Sequence, residues 1–279
     1  MSRGHVECAS LLAEANATWY LDGVATGARC QVLSRDPESG AHSARVILPP
    51  FWCWPVTGSM RDEVELFVLS GAFSLGGDRL HTGDYAVLGA GRVFDGLASE
   101  SGAELLWLSA GATVFQPAPL MARPSPWSLA PRATGQIPWL APPSFEGRTT
   151  EEAGPGLAAK YLREDPRTTA YTLMTRIQPG WSDPRMEAHD TWEELILLEG
   201  DYLMGNTGTV YAGTYIFRPG LRPHGPQATQ RGAVWFCRGE KRIDFQFESL
   251  PFATDRARRY LASAALPLPE ARLHPWGRF

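Results

Sequence analysis

Apolar residues along this chain come in short runs. Stretches such as VELFVLSGAF (64 to 73), HTGDYAVLGAGRVF (81 to 94), AELLWLSAG (103 to 111) and EELILLEGDY (193 to 202) are rich in Val, Ile, Leu, Phe, Tyr and Trp. Gly, Pro, Asp or Asn turns interrupt such runs roughly every eight to twelve residues. Residues of this kind suit a pleated, half-buried surface, so the pattern predicts an all-β sandwich or barrel. Helical signals are confined to the ends of the chain: LLAEANA (11 to 17), and TDRARRYLASAAL (254 to 266), where Thr254 is placed to cap and Pro267 to stop a helix.

The runs also repeat, with a shift of about 130 residues. RCQVLSRDPESG (29 to 40) pairs with KYLREDPRTT (160 to 169), sharing an Asp-Pro turn, and VILPPFW (46 to 52) with RIQPGWS (176 to 182). VELFVLSGAF matches EELILLEGDY, HTGDYAVLGAGRVF matches YAGTYIFRPGLRPH (211 to 224), and AELLWLSAG matches GAVWFCRGE (232 to 240). One β-rich unit is therefore present twice. Between the copies, residues 116 to 143 carry eight prolines, which remove backbone donors and disfavour helix or central strand. Trp127, Leu129, Trp139 and Leu140 suit this connector to lie against a barrel. The expected organisation is an N-terminal barrel over 1–115, a connector over 116–143, a C-terminal barrel over 144–250, and a helix and tail over 251–279.

Composition narrows the function classes. The 279 residues are 44% hydrophobic and 20% charged with a net charge of −4, ordinary for a packed globular protein and without the basic field that nucleic acid or an anionic membrane requires. Neither is expected as a partner. The first twenty residues hold no apolar core behind a basic head, and no window nears ~18 apolar residues, so a cytoplasmic protein is expected. Cys8, Cys30, Cys53 and Cys237 form no CxxC pair and read as reduced thiols.

Candidate chemistry is concentrated in the second copy. Strands present alternate side chains on one face, so Glu187 and His189, two apart, point the same way. Glu193 follows a short turn, and His224 ends the run that pairs with HTGDYAVLGAGRVF. Four N and O donors converging in this manner suit a divalent cation. Repeat alignment puts Gly58, Met60, Val64 and Phe94 at the corresponding places of the first copy, which leaves that barrel metal-free. His42 and His81 fall outside those places. The FWCWP run (51 to 55) fits a pocket wall or core packing.

The spacing resembles that of the cupin superfamily, whose motifs read G-x5-H-x-H-x3,4-E-x6-G and G-x5-P-x-G-x2-H. Gly180, His189, Glu193 and Gly200 follow the first motif, and Gly213, Pro219 and His224 the second. Glu187 replaces the first histidine with one extra residue before it, and Gly220 directly follows Pro219. The set is similar to an E-x-H-x3-EE variant followed by His-Gly-Pro in ChrR-like bacterial cupins, here Glu187, His189, Glu193, Glu194 and His224-Gly225-Pro226. The resemblance implies two tandem cupin barrels, a bicupin, with one divalent metal ion (Fe, Mn, Zn, Ni or Co) held by Glu187, His189, Glu193 and His224. Glu194 competes with Glu193 as the ligand, and its first-copy equivalent Glu65 favours a structural role for the pair, with an arginine as partner. As catalytic acid or base the candidates are Glu194 and Tyr202. Arg176, Arg218, Arg222 and Arg238 are candidates to hold an acidic group of the substrate.

Three functions follow from the resemblance. One is a dioxygenase acting on a small enolisable, aromatic or polyketide-like molecule. Another is a non-redox lyase, isomerase, cyclase or hydrolase using the metal as a Lewis acid, and the third a non-enzymatic small-molecule sensor or binding protein. Exposed strand edges make a homodimer the expected assembly.

Overall fold

Short apolar runs with turns between them fold as antiparallel strands throughout. A computed structural model describes residues 3–118, 129–141 and 155–279. It divides into two compact units, one of Met1–Gly4 and Leu11–Gln136, the other of His5–Ser10 and Ile137–Phe279. Residues 5–10, 137–141 and 251–279 thus fall in the second unit, whose expected span was 144–250.

In the first unit the strands run in the order Phe115–Pro117, Trp52–Met60, Val93–Ser99, Val64–Leu75, Ala103–Ser109, His42–Leu48, Val24–Arg35 and Ala17–Leu21. Asp84–Leu88 joins Val64–Leu75 on its other side and carries Leu129–Ala133 at its far edge. The proline-rich connector therefore does contain a strand. Pro131 is tolerated because an edge strand has one unused row of donors. Trp127 lies outside the described residues.

The second unit repeats this order with Thr214–Arg218, Glu193–Met204, Ala233–Gly239, Tyr171–Ile177 and Leu157–Glu164. Val6–Ser10 takes the edge beyond Thr214–Arg218. Met186–His189 pairs with Phe245–Glu248 as a separate ribbon. Each unit is built around a long strand that bends to serve two faces, and the bend falls at Gly71 or Gly200, with φ of 81° and 86°. A Cβ there would lie 2.2 Å from the Gly102 carbonyl oxygen or 1.9 Å from that of Gly232. The glycine that closes the first motif is thus a steric requirement of the barrel.

Both cores are aromatic. Trp19, Trp52 and Trp107 pack inside the first, and Trp181, Tyr202 and Trp235 inside the second. In the FWCWP run Trp52 is buried while Phe51 is exposed, so the run serves mainly the core. Among the described residues, no helix is long and apolar enough to cross a membrane, and the four cysteines form no disulfide, Cys30 and Cys237 being buried and Cys53 exposed.

The helix expectations need correction. Leu11–Ala17 forms no helix; Leu11 is buried, and the Arg45 guanidinium donates to the Leu11 and Ala13 carbonyls at 2.6 and 3.1 Å, taking acceptors that a helix would use. At the other end the helix is Pro251–Ala262, followed by a turn of helix at Glu270–Leu273. It starts three residues earlier than Thr254, with Pro251 in the first turn and no side-chain cap. A proline needs no donor there.

Candidate metal centre

Three segments of the second barrel bring the site together. Met186–His189 holds Glu187 and His189, both buried, and alternation makes Ala188 point the other way. Glu193 begins the strand Glu193–Met204. His224 meets Glu187 through a bridge in which each backbone N–H donates to the other's carbonyl, at 2.8 and 2.9 Å.

Both imidazoles are oriented from behind. His189 Nδ1 lies 2.8 Å from the Thr191 carbonyl oxygen and His224 Nδ1 3.0 Å from that of Arg222. A carbonyl can only accept, so each Nδ1 carries the proton and each Nε2 presents a lone pair inward. Among the described residues, His189, Glu193 and His224 form a group whose ligand atoms all lie within 4.8 Å of one another. His189 Nε2 and Glu193 Oε2 are 3.6 Å apart, beyond hydrogen-bond length, and both are buried with no hydrogen-bond partner. Buried polar atoms cost free energy unless satisfied; a cation between them would satisfy both. The donor set therefore fits a divalent metal ion.

Glu187 stands just outside that triad, its Oε1 2.8 Å from His224 Nε2. The bridge from Glu187 to His224 thus places a second carboxylate beside the imidazole nitrogen that faces the site.

Electrostatics polarise the cluster. Burial pushes the His189 pKa down, and the Glu193 carboxylate outweighs it, leaving the imidazole above its ordinary value. Burial pushes the Glu193 carboxyl up, and His189, His224 and Arg218 outweigh that, leaving it below the usual range.

Glu187, Glu193 and His224 open on a cavity of about 70 Å³ lined by apolar groups including Leu157, Ile177, Trp181, Trp235 and Phe245. Tyr202, Gln227, Thr175 and Arg218 are further polar groups in its wall. Tyr202 donates to Gln227 Oε1 at 2.6 Å and lies parallel to Trp181, ring centres 6.3 Å apart.

Glu194 is not brought to this cavity. It follows Glu193 on a strand and so faces the opposite way, where Tyr215 and Arg238 both donate to it at 2.6 Å. Tyr85 donates to the equivalent Glu65 at 2.5 Å. Of the four arginines, Arg218 alone lines the cavity. Arg176 lies over Trp139, whose other cationic neighbour is Lys160, and Arg222 contacts His5.

Sequence reasoning missed Glu7, Thr175, Gln227 and Phe245. Thr175 and Phe245 sit in apolar runs like any core position. Glu7 is 211 residues from Arg218, to which it is paired at 2.9 and 3.4 Å. Burial raises the Glu7 carboxyl, and Arg218, His5 and Thr207 outweigh it and hold it low.

The first barrel has the same register without the donors. Gly58 pairs with Phe94 as Glu187 does with His224, and Met60 with Phe115 as His189 does with Phe245. Met60, Val64 and Phe94 are buried in its core. His42 is bonded to the Gly40 carbonyl and to Thr113, while His81 is exposed beside Asp84.

The antiparallel, barrel-like sheets match the cupin fold, and solved structures show the same architecture. The chain resembles a candidate dioxygenase from Nostoc punctiforme PCC 73102 at 20% identity, with 86% of this chain and 83% of that one covered and a TM-score of 0.72. It resembles an oxalate decarboxylase from Lactobacillus farciminis in a formate complex, at 11% identity, 93% and 91% coverage and a TM-score of 0.55. For a salicylate 1,2-dioxygenase from Pseudaminobacter salicylatoxidans the values are 15%, 75%, 76% and 0.53. At these identities the likeness is one of fold. The chain belongs to the family DUF4437, a domain of unknown function, whose model matches residues 15–246. No curated protein matches it in sequence.

Proposed function

We propose that this protein is a metal-dependent bicupin enzyme of the dioxygenase type. In this reading the second barrel holds one divalent ion through Glu187, His189, Glu193 and His224, the E-x-H-x3-EE variant of the cupin motif, and acts on a small enolisable or aromatic molecule. The first barrel is its degenerate, metal-free partner. The observation that carries the reading is the pair of buried, unsatisfied donors, His189 Nε2 and Glu193 Oε2, 3.6 Å apart beside His224. The dioxygenase names among the fold neighbours support it.

A divalent ion in such a site supplies a Lewis acid for an oxygen-bearing substrate and, if redox-active, a place for O₂. The chain's own residues do the rest. Trp181, Trp235, Leu157, Ile177 and Phe245 exclude water and strengthen the field of the buried charges. A cavity of about 70 Å³, against roughly 30 Å³ for one water in the liquid, favours a small substrate or one end of a larger one. Tyr202 is the acid–base candidate that lines this cavity, its proton held on Gln227 Oε1.

Metal analysis by mass spectrometry of the purified, tag-free protein and of Glu187→Ala tests this, together with O₂ uptake on phenols and β-dicarbonyls. One equivalent of iron, lost in the variant, with O₂ consumed is the expected result. Zinc or manganese without O₂ uptake would redirect the assignment to a lyase, isomerase, cyclase or hydrolase. No metal after reconstitution would refute it and leave a small-molecule binding protein.

A further inference from the structure

We infer that Glu7 is a positioning residue of the metal site: it holds the Arg218 guanidinium away from Glu193 and so keeps that carboxylate available to the ion. The inference rests on the metal-site reading above.

Arg218 is 3% exposed and bears a guanidinium cation with five donors. A buried charge requires an opposite charge nearby, and two carboxylates compete for it. Glu7 takes Nη2 at 2.9 Å and Nε at 3.4 Å, a two-pronged grip on one side of the guanidinium. The remaining nitrogen, Nη1, is buried, has no hydrogen-bond partner, and lies 4.0 Å from Glu193 Oε2. A shift of roughly 1 Å would close that gap to an ordinary hydrogen bond. With Glu7 in place, the three groups sum to one negative charge facing the site. Without it they sum to zero, and Arg218 has one carboxylate left to capture, the one proposed as a ligand.

Glu7 is itself held. His5 Nε2 lies 2.8 Å from one of its oxygens, and Thr207 donates to the other at 3.2 Å. Its strand is registered on Thr214–Arg218 by Val6 opposite Phe217, Ala9 opposite Tyr215 and Ser10 opposite Thr214. The bulge between Val6 and Ala9 breaks strict alternation where Glu7 turns to Arg218. The family match begins at residue 15, so Glu7 lies outside it.

The test uses Co²⁺ alone as the probe, measuring its affinity by competition with a chromophoric chelator and its visible ligand-field spectrum. The proteins are the full-length wild type, Glu7→Gln, Arg218→Met and Glu7→Gln/Arg218→Met, each with its melting temperature. Glu7→Gln is expected to weaken Co²⁺ binding by about 10- to 100-fold, the usual range for an outer-shell partner, and to alter the spectrum. The double variant, with the competing cation removed, is expected to regain most of the lost affinity, and Arg218→Met alone to bind as tightly as wild type or tighter. Wild-type affinity and spectrum in Glu7→Gln would overturn the inference. So would a double variant as weak as Glu7→Gln, which would mean that Glu7 only docks its strand. If Glu7→Gln does not fold, Arg218→Met decides, and weaker Co²⁺ binding there refutes the inference. No Co²⁺ binding by the wild type would take down the metal reading and this inference together.

Discussion

The two barrels share a register, yet one has its centre filled with rings and the other gathers donors. Gly58, Met60, Val64 and Phe94 stand in the strands where the second barrel has Glu187, His189, Glu193 and His224. In the first barrel Phe115 packs edge-on against Trp54 and Phe94, both with ring centres 5.8 Å away. A Cβ on Gly58 would lie 2.3 Å from that ring, so a side chain at the place of Glu187 is sterically barred. The equivalent Phe245 lies 6.2 Å from the His189 ring and lines an open cavity. Apolar rings fill in the first barrel the space that the second gives over to a polar cluster.

The strongest way to break this comparison is to remove an imidazole. His189→Ala and His224→Ala are each expected to cost about a hundredfold or more in metal affinity while the barrel stays folded. Full metal occupancy in both variants, by mass spectrometry, would remove the distinction drawn between the barrels. Next in size is Phe115→Ala, expected to destabilise the first unit by about 3–5 kcal/mol in urea unfolding with metal content unchanged. A loss below 1 kcal/mol would mean that the ring does not fill the centre.

The pH dependence of metal binding sharpens the contrast. The metal-free His189 has its pKa raised by the Glu193 carboxylate, so protons compete for Nε2 from above the ordinary histidine range downward. Metal affinity is expected to be full above that raised pKa and to fall by about tenfold per pH unit below it, with a proton released on binding. Calorimetry in two buffers of different ionisation enthalpy would read that proton; a flat profile between pH 8 and 6 would contradict it. The smallest effect concerns thiols. Burial pushes Cys8 up to about 11, so at pH 8 iodoacetamide should label exposed Cys53 well before Cys8, as peptide mapping would reveal.

Much of this was legible in the chain. Val, Ile and aromatic runs punctuated by turns specify strands, and the repeat at about 130 residues specifies two barrels, because those patterns are local. Alternation also required Glu193 and Glu194 to face opposite ways, but it could not say which faced inward; in the tertiary structure Tyr215 and Arg238 take Glu194. Leu11–Ala17 carries helix formers and folds without a helix, since Arg45, more than thirty residues on, claims its carbonyls.

By itself, then, the sequence determined the β-rich duplicated architecture and the kinds of donor available, through side-chain period and motif spacing. Only the tertiary structure decided that Glu7 would meet Arg218 across 211 residues, that Phe115 would fill one barrel, and that a cavity would remain in the other. The reason is physical. Periodicity sets which face a side chain joins, whereas the partner it finds there depends on sheet register and on how completely neighbouring side chains fill the space between strands.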